Sequence, residues 1–403
     1  MAKNISIAVV ALGGYGMVYL QGLLDEPQDE NFTLVAGIDP YPEHCDRLDE
    51  LKKMNIALYA DFDAFYQQGG QADLVILSSP IQLHLDHTRI ALEHGSHVLC
   101  EKPLGATVDE ADNMIAARDQ FGRFVAIGYQ WSFTDPIQDL KRDIQQGVLG
   151  APVRLKTMAF WPRDESYYNR NSWAGKLKDK SGRWILDSPV NNAVAHYLHN
   201  MFFVLGDQFS SSAQPKSVEG ELYRAKPIES YDTAALRVMT ENDIELLFYA
   251  THSNEEMIGP VITYEFEKAT VTFTGLHSDL KVEFKDGREK SYGKPDEQQI
   301  KKMWDCIRAV RTGEPVACTP EAAKSQTVTI NALHESFGEI VDLPEALIKT
   351  KGKEGEVLYY SPELESVLRQ CHDENKLPSE LGVNWSKAGK RVNVSDYDSF
   401  KGI

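Results

Sequence analysis

The chain has few cysteines and no C-x-x-C pair: Cys45, Cys100, Cys306, Cys318 and Cys371 are odd in number and scattered over 403 residues. That spacing excludes a disulfide framework and fits a reduced, cytoplasmic setting. Basic charge is also short, with 42 Lys and Arg against 60 Asp and Glu and a formal charge of -18. Such a balance repels nucleic acid and anionic membranes, so neither is expected as a partner. Long hydrophobic runs are missing as well. The first, 5–10, is too short for a signal peptide and gives way to glycine too soon to span a bilayer, and no later run comes closer.

What is present is a chain long enough for two domains with separate cores, 42% hydrophobic and 25% charged. Short apolar runs at 5–11, 32–38, 74–78, 97–100 and 124–127 alternate with helical patterns, which predicts a parallel sheet covered on both faces. Thr107-Val108-Asp109-Glu110 reads as a capping box whose helix should stop at Gly122. From Asp135-Pro136 a connecting helix runs to Gly147. Alternating runs follow at 153–160, 218–222, 234–238, 244–248, 262–266 and 280–284, with turn residues at Asn242-Asp243 and Asp286-Gly287. They predict an antiparallel sheet. Its apolar face needs covering, by helices at 191–205 and 300–311 or by another subunit.

The first strand runs into Ala11-Leu12-Gly13-Gly14-Tyr15-Gly16, the dinucleotide fingerprint with alanine at its first glycine. Gly13 lets backbone approach a pyrophosphate, Gly16 lets helix pack on strand, and the helix N-terminus favours phosphate. Asp39 ends the second strand 23 residues after Gly16. A carboxylate there accepts from both ribose hydroxyls and repels a 2'-phosphate, so NAD is expected rather than NADP. Ser78-Ser79-Pro80, His84 and Glu101-Lys102-Pro103 fall at the same ligand-binding edge. Lys102 is there either a proton-transfer group or a salt-bridged surface residue.

Taken together, the glycine turn, the acidic strand end, the Ser-Pro turn with its histidine and Glu101-Lys102-Pro103 resemble the glucose-fructose oxidoreductase, inositol dehydrogenase and MocA-type family over residues 3 to about 340. The resemblance implies a Rossmann domain at 1–132 and, at 133–340, a substrate-binding and oligomerisation α/β domain on a large open, mostly antiparallel sheet. It also implies NAD(P)-linked chemistry on sugars or polyols, with Lys102 bridging the nicotinamide ribose and the substrate. The cofactor set becomes Gly13, Gly14, Tyr15, Gly16, Asp39, Ser78, Ser79, Pro80, His84, Glu101, Lys102 and Gln130. A homodimer or homotetramer through the sheet is the expected assembly.

Within 191–201, Asn192, His196 and His199 recur at i, i+4 and i+7, one helix face. The segment resembles the family's Asp-x-x-x-His signature, with His196 on the histidine and Asn192 where aspartate commonly stands. It departs from the family in Asp187-Ser188-Pro189, which replaces a glycine cluster, and in His199, which replaces an acidic residue. Oxidising a carbinol requires a base with a pKa near working pH. Asn192 cannot titrate, so Lys102 and His196 must share that work, unless His196 is a satisfied core histidine. Asp187, His196 and His199, or the pairs His84/His87 and His94/His97, could ligate a metal, but no third and fourth ligands stand at recognisable spacing and none is expected.

The stretch 161–173 is dense in Trp161, Arg163, Tyr168, Arg170 and Trp173. Ring faces suit a carbohydrate, and the arginines suit an acidic one; a loop whose aromatics pack locally reads equally well. Residues 341–403 exceed the resemblance. Leu377, Leu381 and Trp385 at i, i+4 and i+8 suggest an arm over the second domain or a neighbouring subunit. The expected activity is NAD-dependent hydride transfer on a carbohydrate carbinol or ketone. Two alternatives remain: an NAD-retaining lyase or glycosidase using transient oxidation, and a non-catalytic nucleotide sensor.

Overall fold

The computed structural model describes residues 3–25, 27 and 31–402, and they form two compact units. The first runs to Gly105 and takes in Glu110–Thr134 and Gln298–Ala323; the second holds Ala106–Asp109, Asp135–Glu297 and 324 onward.

Six strands build the first unit: β1 (Ile5–Val10), β2 (Phe32–Ile38), β3 (Ala57–Tyr59), β4 (Leu74–Leu77), β5 (His97–Cys100) and β6 (Val125–Ile127). They pair in the order β3-β2-β1-β4-β5-β6, parallel throughout. This is the doubly wound order, reversing between β1 and β4. Leu74–Leu77 is buried at every position, as a strand covered on both faces must be. Val10 pairs with Ile38 on one side and Leu77 on the other, Leu77 with Cys100, and Cys100 with Ile127. The residues that follow, Ala11, Asp39, Ser78, Glu101 and Gly128, therefore emerge along one carboxyl edge, where open α/β sheets bind ligands. Only β3 went unanticipated, because three half-buried residues carry no periodicity.

In the second unit the strands are β7 (Pro152–Phe160), β8 (Pro215–Arg224), β9 (Thr233–Thr240), β10 (Glu245–Thr251), β11 (Ile258–Phe266), β12 (Ala269–Phe273), β13 (Leu280–Phe284), β14 (Glu289–Gly293), β15 (Val341–Asp342), β16 (Lys349–Lys351), β17 (Leu358–Tyr360) and β18 (Val392–Asn393). Ten of them form one sheet in the order β14-β13-β12-β11-β7-β10-β9-β8-β15, with β18 also on β8. Pairing is antiparallel except at β10/β7 and β15/β8. The hairpin turns use left-handed Asp243 and Gly287 as their composition predicted. The helix expected at 300–311 forms as Lys301–Thr312, but in the first unit rather than over this sheet.

One apolar face of this sheet is covered by the chain's own C-terminal segment. Met158, Phe160, Tyr223, Ala235, Leu247 and Tyr249 pack against Leu364, Leu368, Cys371 and Leu377. Ser361 caps the helix Pro362–Glu374, accepting from the Leu364 amide. At its other end the sheet supplies the donors that the last carbonyls lack: Lys156 Nζ reaches His372 O at 2.9 Å and Tyr249 Oη reaches Cys371 O at 3.1 Å. Leu377, Leu381 and Trp385 join this cluster, but through a short turn, Pro378–Leu381, closed by left-handed Gly382 rather than a continuous helix. Beyond it the same face is polar, with Thr263, Glu265, Thr270 and Thr272 partly buried and Lys281 and Glu283 exposed.

Truncating Leu364 or Leu368 to alanine should lower the unfolding free energy of the full chain by about 2–5 kcal/mol each. Urea titration followed by circular dichroism reads this; losses below about 0.5 kcal/mol, the level of surface substitutions, would mean that the segment does not hold the sheet.

Candidate active site

In the first unit the glycine turn is set by close approach. A Cβ on Gly16 would stand 2.0 Å from Ala11 O, so no other residue fits. Gly14 and, unusually, Ala11 take positive φ, +53° and +62°; the alanine accepts a strain of about 1 kcal/mol that glycine would avoid. Asp39 pins the turn: Oδ2 accepts from the Leu12 amide at 2.8 Å and Oδ1 from the Tyr41 amide at 2.8 Å. Each carboxylate oxygen keeps a second lone pair for a ribose hydroxyl. Arg47, eight residues further on, is committed to Asp25 and Glu50. The turn geometry, the amides it leaves at Gly13 and Gly14 and the acidic strand end fit a dinucleotide. Ser78, Ser79 and Pro80 follow β4 on the same edge.

Glu101 is not exposed to a ligand. At 5% exposure it accepts from Tyr19 Oη at 2.5 Å, from the Lys102 amide at 3.2 Å and from Lys302 Nζ, which also reaches Gly128 O at 3.1 Å. Lys302 is completely buried; burial works against its charge, and Glu101 and Tyr15 more than offset this, raising its pKa. Its ammonium stands 4.5 Å over the Tyr15 ring, and the Tyr15 hydroxyl bonds Gln130 and Gln299, both at 3.0 Å. Tyr15 and Gln130, assigned to the cofactor from sequence, are tied into this network. Lys302 and Tyr19 were not foreseen; the only signal is Tyr15 and Tyr19 one helical turn apart.

His84 is 1% exposed, its Nδ1 2.7 Å from Pro103 O and its Nε2 2.9 Å from Ser79 O. Both ring nitrogens are used, so it braces the Ser79 turn against the lysine turn instead of reaching a ligand. Burial lowers its pKa against the pull of the two carbonyls. Lys102, between these braces, is half-buried.

In the second unit the expected single helix is broken. A π-helical turn, Pro189–Ala193, ends at non-helical Val194, and an α-helix runs Ala195–Val204; such turns recur at functional sites. The i, i+4 reasoning therefore does not join Asn192 to His196. Asn192 instead donates to Asp187 Oδ1 at 2.8 Å, while Asp187 Oδ2 accepts from the Gly175 amide at 2.6 Å. Leu186 takes φ +50°, the left-handed conformation that a glycine cluster would have supplied without strain. His196 is half-buried on the first turn of the α-helix. His199 is 1% exposed and packs on Phe203 at 5.7 Å, a core histidine rather than a substrate ligand. Among the described residues no cluster of three or more His, Cys, Asp or Glu could hold a metal.

The aromatic segment gathers on Tyr167. Arg163 and Arg170 lie 4.9 and 3.5 Å from its ring centre, Arg170 also 5.3 Å from Trp173, and Tyr168 Oη bonds His252 Nδ1 at 2.8 Å. Trp161 meets Tyr197, the neighbour of His196, edge-on at 5.8 Å.

Burial, then the Lys141 cation, lowers the His199 pKa to about 3, whereas the unfolded imidazole titrates near 6.5. Between those values the unfolded chain binds a proton that the native chain refuses, so stability is full above pH 6.5 and falls as pH drops toward 3. The fall, measured by urea unfolding across pH 3–7, should be shallower in His199→Asn; parallel curves would contradict it.

The family model for "Oxidoreductase family, NAD-binding Rossmann fold" matches residues 5–129. The chain is 31% identical over 154 residues to a 1-carboxy-3-chloro-3,4-dihydroxycyclohexa-1,5-diene dehydrogenase of Comamonas testosteroni, covering 38% of each. It is 25% identical over 217 residues to a 2,7-anhydro-N-acetylneuraminate hydratase of Mediterraneibacter gnavus, covering 54% of this chain and 52% of the relative. Against an inositol 2-dehydrogenase of Ralstonia nicotianae it is 26% identical over 211 residues, 52% of this chain and 57% of the relative. The matches thus span about half or less of these relatives. Among solved structures, an oxidoreductase from Agrobacterium radiobacter in complex with NAD+, L-tartaric acid and magnesium superposes with a TM-score of 0.69 at 15% identity, covering 83% of this chain and 96% of that one, a likeness of fold. Residues 5–129 thus carry the NAD-binding Rossmann domain of the Gfo/Idh/MocA oxidoreductase family.

Proposed function

We propose that the chain is an NAD-dependent oxidoreductase that moves hydride between nicotinamide and a secondary alcohol or ketone of a sugar, polyol or related carbohydrate. The observation that carries this reading is the single sheet edge on which the glycine turn, Asp39 and the braced Lys102 turn emerge. The amides of the glycine turn would hold the pyrophosphate and Asp39 the adenosine ribose, with Ser78, Ser79 and Pro80 beside them. Bound NAD supplies the hydride acceptor for the carbinol carbon. The hydroxyl proton must pass to a base as hydride leaves. Lys102 and His196 take that role, Lys102 with the larger share because Asn192 cannot titrate and is spent orienting on Asp187. Relatives named as an inositol dehydrogenase and a dihydroxycyclohexadiene dehydrogenase support a ring carbinol as substrate class.

A second reading, redox-neutral chemistry on retained NAD, is favoured by the relative named as a hydratase. Reduced-nicotinamide absorbance separates the two: net oxidoreduction accumulates it with turnover, and redox-neutral chemistry does not.

With NAD and a panel of sugars, polyols and sugar acids, Lys102→Ala and His196→Ala should each lower kcat/KM by about 10²–10⁴-fold, the range for a lost acid-base group. Full turnover in both variants would remove the proposed site. Asp39→Ala should raise the KM for NAD about tenfold or more, on the scale of a lost charged hydrogen bond, and narrow the preference over NADP. An unchanged NAD/NADP ratio would remove Asp39 from cofactor selection.

A further inference from the structure

We propose that Arg163 and Arg170, joined by the Tyr167 ring between them, form a receptor for the anionic group of an acidic carbohydrate, a carboxylate or a phosphate. The inference rests on the carbohydrate reading above and narrows it to a charged substrate.

Both guanidinium groups converge on one ring. Two cations drawn to the same quadrupole repel each other unless an anion joins them. Neither makes an ion pair with a carboxylate among the described residues, in a chain carrying 60 acidic residues. Asp187, whose field reaches Tyr167, already accepts from the Gly175 amide and Asn192. The protein uses only part of the donor capacity present: Arg163 bonds Pro162 O at 3.0 Å and the Tyr167 side chain, and Arg170 bonds Tyr167 O, out of five N–H groups each. Arg163 Nε is buried without a partner.

His252, under the Tyr167 and Tyr168 rings, is held neutral by burial and then by Arg163, Lys226 and Arg170. Its Nε2 is also buried without a partner. Uncommitted planar forks with an aromatic backing are the geometry that recognises carboxylate and phosphate bidentately. Trp161 and Trp173 flank the pair at 5.6 and 5.3 Å, and offer ring faces to the sugar beside its charge.

The test titrates NAD-saturated full chain with D-glucuronate, D-glucose 6-phosphate, D-glucose and inorganic phosphate, following tryptophan fluorescence. Wild type should bind glucuronate or glucose 6-phosphate about tenfold or more tighter than glucose; which of the two wins separates carboxylate from phosphate, and inorganic phosphate reports the bare anion. Arg163→Gln/Arg170→Gln should bring both sugar anions to the affinity of glucose with NAD affinity unchanged, and Arg163→Lys should recover part of the loss. Glucose binding as tightly as both anions, or unaltered anion binding in the glutamine variant, overturns the proposal. Arginine-dependent anion binding without nicotinamide chemistry on any carbohydrate would keep the receptor and sink the oxidoreductase reading. Lys102-dependent oxidation of glucose as efficient as that of glucuronate would do the reverse.

Discussion

The first unit depends on a buried ion pair. Glu101 and Lys302 are withdrawn from water together, a transfer costing several kcal/mol per charge that only good geometry and further hydrogen bonds offset. Here such partners are in place: Tyr19, the Lys102 amide, Gly128 O and the Tyr15 ring surround the two charges. Glycine at 128 is part of the arrangement, since a Cβ there would stand 2.7 Å from Glu101 Oε1. The pair fixes one side of the turn that carries Lys102, and His84 fixes the other through Pro103 O. A flexible, half-buried lysine is thereby presented from a rigid base, which is what a proton-transfer group needs if its reach is to stay within hydrogen-bond distance.

This division also explains what was legible. Parallel strands buried on both faces read as continuous apolar runs, so β1, β2, β4 and β5 and the polar residues at their ends could be placed from sequence. Asp39 was assigned by its position after β2 and is found holding Leu12, the residue before Gly13. Glu101 was assigned to the cofactor because its partner lies 201 residues away, on a helix whose periodicity named an apolar face without naming the sheet it would meet. Long-range pairing of this kind leaves no local trace. His199 was misjudged for a related reason: i, i+7 spacing on an ideal helix ignores the break at Val194.

The second unit shows how one chain can finish its own sheet. The C-terminal helix contributes Leu364, Leu368 and Cys371, and the sheet returns Lys156 and Tyr249 to the helix's last carbonyls. Apolar burial and end-capping thus act on the same contact. Elsewhere in this unit, the π-helical turn and the Asp187–Asn192 bond set the entry to the His196 helix. They replace with polar contacts what a glycine cluster would do with backbone freedom, and Leu186 absorbs the strain.

A double-mutant cycle on Glu101→Gln and Lys302→Met tests this account most directly, with unfolding free energy and kcat/KM read on the same four proteins. Each single change should cost about 3–5 kcal/mol of stability by stranding a buried charge, and the double variant should recover much of it, a coupling of at least about 1 kcal/mol. Turnover should fall in every variant because the Lys102 turn loses its base. Additive stability losses, or full turnover in the double variant, would mean that the pair neither couples nor positions Lys102.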